Sequence, residues 1–287
     1  MAMKRLCITL LLFFIIINSV HVFAKNTDIS SILSNRNSIE FIENKGQIVD
    51  QKGNVHDEVL FMAHIPGGAV YVKTNEISFA NFDTSKQASK QVYRVDMRFN
   101  GANSHPIFQG IDEYSDKNNY FLKHCPNGIT NVSKYKRIVI KDIYPHIDFI
   151  LYPNLNNTIQ YDFIVKPGGN PDIISLSFSG CSDIHLSKSG SLQLLTPFGT
   201  IEQGAPRTYQ DKEIASSFII NSDNSVSFKV DPYDHNQSLR IDPPTRMWGT
   251  YFGGAGADIG SDLAIDQAGN IFICGQTNST WGIATNG

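Results

Sequence analysis

Residues 144–169 read YPHIDFILYPNLNNTIQYDFIVKPGG, and this stretch decides the fold class. Two apolar-aromatic runs, Ile147–Tyr152 and Ile159–Val165, flank the polar segment Pro153–Thr158. A Tyr-Pro step opens the first run, and Pro167-Gly168-Gly169 closes the second. Short runs of β-branched and aromatic residues bounded by turn formers predict the two arms of a β-hairpin at the centre of an all-β module.

Outward from that hairpin the same period recurs. In Gln91–Phe99, Tyr93, Val95, Met97 and Phe99 alternate with Arg94, Asp96 and Arg98, the pattern of a strand with one buried and one wet face. Ala69–Val72 and Ile77–Phe82, separated by Lys73-Thr74-Asn75, predict another hairpin. Asp112–Phe121 reads as an irregular loop entering a strand. Short strands follow over Ile173–Phe178, Ile184–Leu186, Leu192–Leu195, Thr200–Gln203, Arg207–Gln210, Ser217–Ile220, Val226–Val230 and Leu239–Ile241. Their spacing, with no amphipathic helix between them, predicts a β-sandwich-like module of one or two sub-domains and argues against parallel α/β topology. Asp242-Pro243-Pro244 stiffens the backbone and marks a domain boundary.

The N-terminus reads as an address. Lys4 and Arg5 precede the apolar run Leu6–Ile17, and Val22-Phe23-Ala24 offers a cleavage site. Met1–Ala24 is therefore expected to be a signal peptide, with 25–37 a linker and a short helix over Ile29–Leu33 capped by Asp28. The run is shorter than the roughly 20 residues a spanning helix needs. Removal of Lys4 and Arg5 moves the formal net charge from −3 to −5, which offers no electrostatic basis for nucleic-acid binding. Cys125, Cys181 and Cys274 are odd in number and widely spaced. They support no zinc or redox motif, and free buried thiols are expected.

Two resemblances rest on specific residues. WGTYFGGAGADIGSDLAIDQAGNIFICGQTNST, from Trp248, resembles an SBBP-type β-propeller repeat through Gly253-Gly254, Asp258, Asp262, Ala264, Asp266, Gly269, Asn270, Gly275 and Thr277. The region Ser38–Pro244 resembles the all-β domain that precedes such repeats in large secreted proteins of Gram-negative, Bacteroidetes-type bacteria. FIENKGQ (Phe41–Gln47), NNYF (Asn118–Phe121), YPHID (Tyr144–Asp148), YDFIVKPGGNP (Tyr161–Pro171), Gly190 with Leu192, and LRIDP (Leu239–Pro243) carry that likeness. His146 departs from it, since glycine is expected in the Tyr-Pro-x-Ile-Asp step. The resemblance implies residues 38–244 as one all-β module and 245–287 as a single truncated repeat of a longer repeat protein. It also implies a secreted or cell-surface architecture, periplasmic without a further sorting signal. It implies no activity, and one repeat is fewer than the roughly 4–8 blades of a closed propeller.

Chemistry-bearing residues are sparse. Asp148 and Asp162, one on each arm of the hairpin, are the candidate catalytic pair for a hydrolase, and hydrogen bonding to turn backbone or an arginine is the simpler role for each. Asp258, Asp262 and Asp266, at four-residue spacing, are the candidate metal ligands, but they lack the order of a calcium loop, and turn capping is the simpler role. The histidines are dispersed, and no phosphate loop or nucleophile elbow occurs. Tyr114, Tyr120, Tyr135 and Tyr209 are candidate contacts for a glycan or protein, or else packing aromatics. No cofactor is expected. The leading functional expectation is a non-enzymatic structural or adhesion-type surface protein, with a cell-surface protein or glycan as partner. A secreted hydrolase of polysaccharide or peptide is the alternative, and a non-functional remnant the third.

Overall fold

A computed structural model describes residues 39–50, 52–82, 92–154, 158–197, 199–249, 251–253, 258–265, 271–277 and 284–286. The signal peptide, the linker and the short helix expected over Ile29–Leu33 lie outside the described residues. Among those described no helix is long and apolar enough to cross a membrane. The chain enters through β1 (Phe41–Glu43), β2 (Val59–Ile65), β3 (Gly68–Lys73), β4 (Glu76–Phe82) and β5 (Val92–Phe99). It continues through β6 (Ile107–Glu113), β7 (Asn118–Leu122), β8 (Cys125–Val132), β9 (Lys134–Tyr144), β10 (Ile147–Pro153) and β11 (Ile159–Val165). A 3-10 turn at Pro171–Ile173 leads to β12 (Leu176–Ser179), β13 (Asp183–Leu186), β14 (Leu192–Thr196) and β15 (Gly199–Gln203). Then come β16 (Arg207–Tyr209), β17 (Glu213–Ile214), β18 (Ser216–Ile220), β19 (Val226–Val230) and β20 (Leu239–Asp242). Last are β21 (Thr245–Gly249), β22 (Tyr251–Gly253), β23 (Asp258–Ile265), β24 (Ile271–Thr277) and β25 (Ala284–Asn286).

The all-β expectation holds, but the main sheet is a single, nearly closed one rather than clearly half of a sandwich. Fifteen strands form a single sheet in the order β17-β16-β20-β11-β10-β9-β1-β2-β3-β4-β5-β12-β19-β18, with β6 added on β9. The two ends of that order, β17 and β18, are adjacent in the chain and joined only by Ala215. The sheet therefore curls until its edges meet. The Thr208 hydroxyl donates to Ser216 Oγ at 2.8 Å, and Ser216 Oγ donates to the Pro206 carbonyl at 3.0 Å, pinning the seam. The sheet is thus nearly closed, and its two edge strands are brought together at one seam.

The hairpin read from residues 144–169 sits in the interior of the sheet, with Ile147 opposite Val165 and Pro153 opposite Ile159. Alternation sends Ile147, Phe149, Leu151, Ile159, Tyr161, Phe163 and Val165 inward, and all are buried. Curling brings distant strands onto this face. Phe99 of β5 meets Phe149 with ring centroids 4.9 Å apart, and Phe228 of β19 meets Phe163 at 5.7 Å. Phe149 stacks on Tyr161 at 5.3 Å. Offset and edge-on arrangements suit the ring quadrupoles and add about 0.5–1.5 kcal/mol per pair beyond area burial.

A second, four-stranded sheet runs β13-β14-β15-β21. Its Leu192, Leu194 and Ile201 join the same hydrophobic core as the main sheet, so the two sheets share one core. The stiff Pro243-Pro244 segment leads directly into further pairing. The Gly204 N–H donates to the Pro244 carbonyl at 2.6 Å, and Thr245–Gly249 pairs at once with β15, Gln203 opposite Thr245. Trp248-Gly249 ends β21, and Tyr251–Gly253 pairs with β25. Limited proteolysis of the full chain should accordingly yield first cuts beyond Gly249, because Thr245–Gly249 is held in a ladder while a lone repeat lacks neighbours. Mass spectrometry showing initial cleavage within residues 244–249 would contradict that pairing.

Other differences are local. Asp112 and Glu113 end β6 rather than lying in a loop, and only the second half of Ile173–Phe178 is a strand. Asp96, expected on a wet face, is buried at 9% exposure. Cys125 and Cys181 are free as expected but half-buried rather than buried. The Cys274 side chain lies outside the described residues.

Candidate functional site

The outer face of the central hairpin carries the polar chemistry. Residues that alternate with the buried set, Asp148 and Tyr152 on β10 and Gln160 and Asp162 on β11, point away from the core. Asp148 lies opposite Ile164 and Asp162 opposite Ile150, so the two aspartates are diagonal neighbours, with Cα atoms roughly 7–8 Å apart. That spacing is compatible with a carboxylate pair. The partners of each show different roles.

Asp148 organises a bend. Its Oδ1 accepts the Asp142 N–H at 2.8 Å and pairs with Lys166 Nζ at 2.6 Å, and Lys166 also reaches Asp142 at 3.0 Å. Burial works against the Lys166 ammonium, but hydrogen bonds to Asp148 and Asp142 outweigh it and hold its pKa above the ordinary lysine value. The need for these anchors is visible in the backbone. Asp142 has φ of +50° and His146 φ of +60°, in the left-handed region that L-residues avoid. Pro145-His146 forms the turn between β9 and β10, and a residue with positive φ after proline is the position a type II turn gives to glycine. His146, where the family likeness leads one to expect glycine, thus carries the positive φ. His146→Gly should raise stability by up to about 1 kcal/mol, the relieved strain being partly offset by glycine's freedom in the unfolded chain. A urea midpoint below that of the parent would show that the turn stores no strain.

Asp162 belongs to a separate network across three strands. It is 5% exposed, its Oδ2 pairs with Arg240 Nε at 2.9 Å, and its Oδ1 accepts the Tyr152 hydroxyl at 3.1 Å. Arg240 also donates to Tyr152 Oη at 3.0 Å and contacts Asp242 at 3.4 Å, while Gln160 donates to the other oxygen of Asp242. Burial pushes the Asp162 carboxyl up to about 6, with Arg240 opposing and Asp242 adding to the rise. Burial likewise raises the Tyr152 phenol, helped by the charges of Asp162 and Asp242.

A raised carboxyl has a defined linkage sign. Between pH 4 and 6 the folded state holds a proton on Asp162 that the unfolded state has released. Stability from this group therefore falls as pH rises through that window, by about 2–3 kcal/mol in all. In paired urea titrations from pH 4 to 7, Asp162→Asn should lack this fall, so the variant gains on the parent as pH increases. Parallel curves would contradict the assignment.

Beside the Asp148 bend lies a cleft of about 660 Å³ lined by Gly101, Ala102, Asn103, Asp142, Pro145, His146 and Lys166. It adjoins Asp148 through Asp142 and Lys166; neither Asp148 nor Asp162 lines it. Metal chemistry finds no support among the described residues, where no three His, Cys, Asp or Glu side chains converge. Asp258 and Asp262 lie within β23 rather than in turns; their side chains, and Asp266 altogether, lie outside the described residues. The tyrosines divide. Tyr135 packs edge-on against Phe61 at 5.9 Å, Tyr114 lies under Lys134 Nζ at 5.4 Å, and Tyr209 takes the Arg207 guanidinium at 5.2 Å. The Tyr120 hydroxyl accepts from Asn118 at 3.1 Å.

Comparison with known families matches residues 41–244 to a domain of unknown function, DUF7948. The chain belongs to that family. A β-propeller repeat, SBBP, matches residues 248–280. A search of the curated proteins finds no match, and a search of the solved structures finds none either.

Within this DUF7948 domain, sequence reasoning named Asp148 and Asp162 but missed their partners. Arg240 lies 78 positions beyond Asp162 in the chain, and only the pairing of β11 with β20 makes them neighbours. The one available signal was alternation in LRIDP, which places Arg240 and Asp242 on the outer face while Leu239 and Ile241 are buried. Lys166 carried a nearer signal, since the hairpin register puts the residue after β11 beside the β9–β10 turn, and its N–H donates to the His146 carbonyl at 2.9 Å.

Proposed function

We propose that this chain is an exported, non-enzymatic structural or adhesion-type protein, in which the DUF7948 domain carries β-propeller repeat structure at the surface of a Gram-negative, Bacteroidetes-type cell. The observation that carries this reading is the junction. The first residues of the repeat, Trp248-Gly249, end a strand hydrogen-bonded to β15, so the repeat starts from a fixed edge of the domain. A carrier needs that geometry, whereas an enzyme needs a cleft with free acid and base. The leader-like Met1–Ala24 supports export.

The competing hydrolase reading draws on Asp162, whose carboxyl at about 6 falls where a general acid operates. Its burial and the engagement of both oxygens by Arg240 and Tyr152 favour a structural role. The full chain should be located by cell fractionation and assayed on polysaccharide and peptide panels. The expected result is surface or extracellular location without turnover. Turnover lost in Asp148→Asn or Asp162→Asn would overturn the non-enzymatic reading.

A further inference from the structure

We propose that the cleft beside the β9–β10 turn is a binding site for a neutral, hydroxyl-rich ligand, an oligosaccharide, contacted by Asp142, His146 and Lys166. The assignment rests on the surface-adhesion reading for the source of its ligand, and on the geometry of the cleft for its chemistry. A volume of about 660 Å³ is within the roughly 300–1,000 Å³ of small-molecule sites. No large apolar side chain lines it, which disfavours lipid or aromatic ligands.

Charge disfavours an anion. The Lys166 ammonium is already shared between Asp142 and Asp148, so its charge is balanced, and a third N–H donor is left over. Lys166 occupies Oδ1 of Asp142, and the other Asp142 oxygen has no hydrogen-bond partner among the described residues. The His146 imidazole is exposed and has none there either. The lip of the cleft thus offers spare donors and acceptors interleaved, with no cationic charge in excess. Sugar hydroxyls, each both donor and acceptor, match that pattern.

Backbone strain adds an independent observation. Five described non-glycine residues have positive φ, and two of them, Asp142 and His146, line this one cleft. A glycine would meet the demand at residue 146 without strain, yet an imidazole stands there at a cost of about 1 kcal/mol. Strain concentrated at a cleft is a pointer to a ligand.

The test uses two variants that keep the backbone conformation, His146→Gly and Asp142→Asn, since glycine and asparagine both accept positive φ. The full chain is applied to an array of neutral and acidic oligosaccharides, and the best neutral ligand is titrated by calorimetry against parent and variants. Both variants are expected to bind at least about tenfold more weakly than the parent, with urea midpoints no lower than the parent's. Affinities equal within about twofold, capture of acidic glycans alone, or no capture of any glycan would each overturn the site. Those failures leave the adhesion reading standing, because it fails on turnover or location instead.

Discussion

Phe163→Ala is expected to destabilise the domain by about 3–5 kcal/mol, read as a lower urea midpoint at unchanged slope. Phe163 is fully buried, and its ring contacts Phe149 at 5.3 Å, Phe228 at 5.7 Å, Tyr161 at 5.9 Å and Phe99 at 6.4 Å. Tyr161 shares β11 with Phe163 and Phe149 lies on the neighbouring β10, whereas Phe99 of β5 and Phe228 of β19 come from the far part of the strand order. The ring is therefore a tie between the two halves of the curled sheet. Truncation opens a cavity where three elements converge, and a continuous ladder leaves little freedom to collapse into it. The loss is large against the roughly 5–15 kcal/mol of a typical domain. Phe163→Leu, which keeps most of the volume, should lose less than about 1.5 kcal/mol. A loss below about 1 kcal/mol in the alanine variant would mean that the halves do not close on one another.

Gly180→Ala should be comparably severe for a different reason. Gly180 follows β12 with φ of +86°, and a Cβ there would lie 2.1 Å from the Arg94 carbonyl oxygen and 3.3 Å from Val95 Cα. Those atoms belong to the backbone of β5, which pairs with β12 through Ser179 opposite Asp96. Relief requires a shift of one strand against the other, and a loss of at least about 3 kcal/mol is expected. Gly53 supplies the control, because it has the same φ of +86° and nothing within 4 Å of its would-be Cβ. Gly53→Ala should lose only the conformational part, about 1–2 kcal/mol. The difference between the two variants measures the clash, and equal losses would show that β5 and β12 are not packed as described.

Legibility followed range. The strands of the central hairpin, and the inward set Ile147, Phe149, Leu151, Tyr161 and Phe163, were readable because alternation is a local property of a pleated chain. Asp148 and Asp162 were readable as polar residues on the outer face of that same pattern. Their chemistry was not, because it depends on neighbours brought by sheet pairing. Asp148 meets Lys166 across the end of the hairpin, and Asp162 meets Arg240 through a strand from the far end of the domain. The boundary at Pro243-Pro244 was readable as a stiff one, and the family matches change there, but the ladder that follows it was not. Two prolines do rigidify a backbone, but a rigid segment can hand a chain straight into a ladder, as it does to Thr245–Gly249.

The sequence alone determined that this protein is all-β, that a hairpin over residues 144–169 lies at its centre, and that a β-propeller repeat follows. Short-range period, turn residues and a motif of about 30 positions suffice for those statements. Only the tertiary structure decided that fifteen of the strands join in one nearly closed sheet, because closure depends on which edges meet, and here Ala215 joins them. It also decided that His146 carries positive φ at the lip of a cleft and that Asp162 is buried against Arg240. The cleft and the Asp162–Arg240 pair arise from contacts between residues far apart in the chain, for which local pattern holds no signal; only the glycine expected at 146 hinted at the positive φ there.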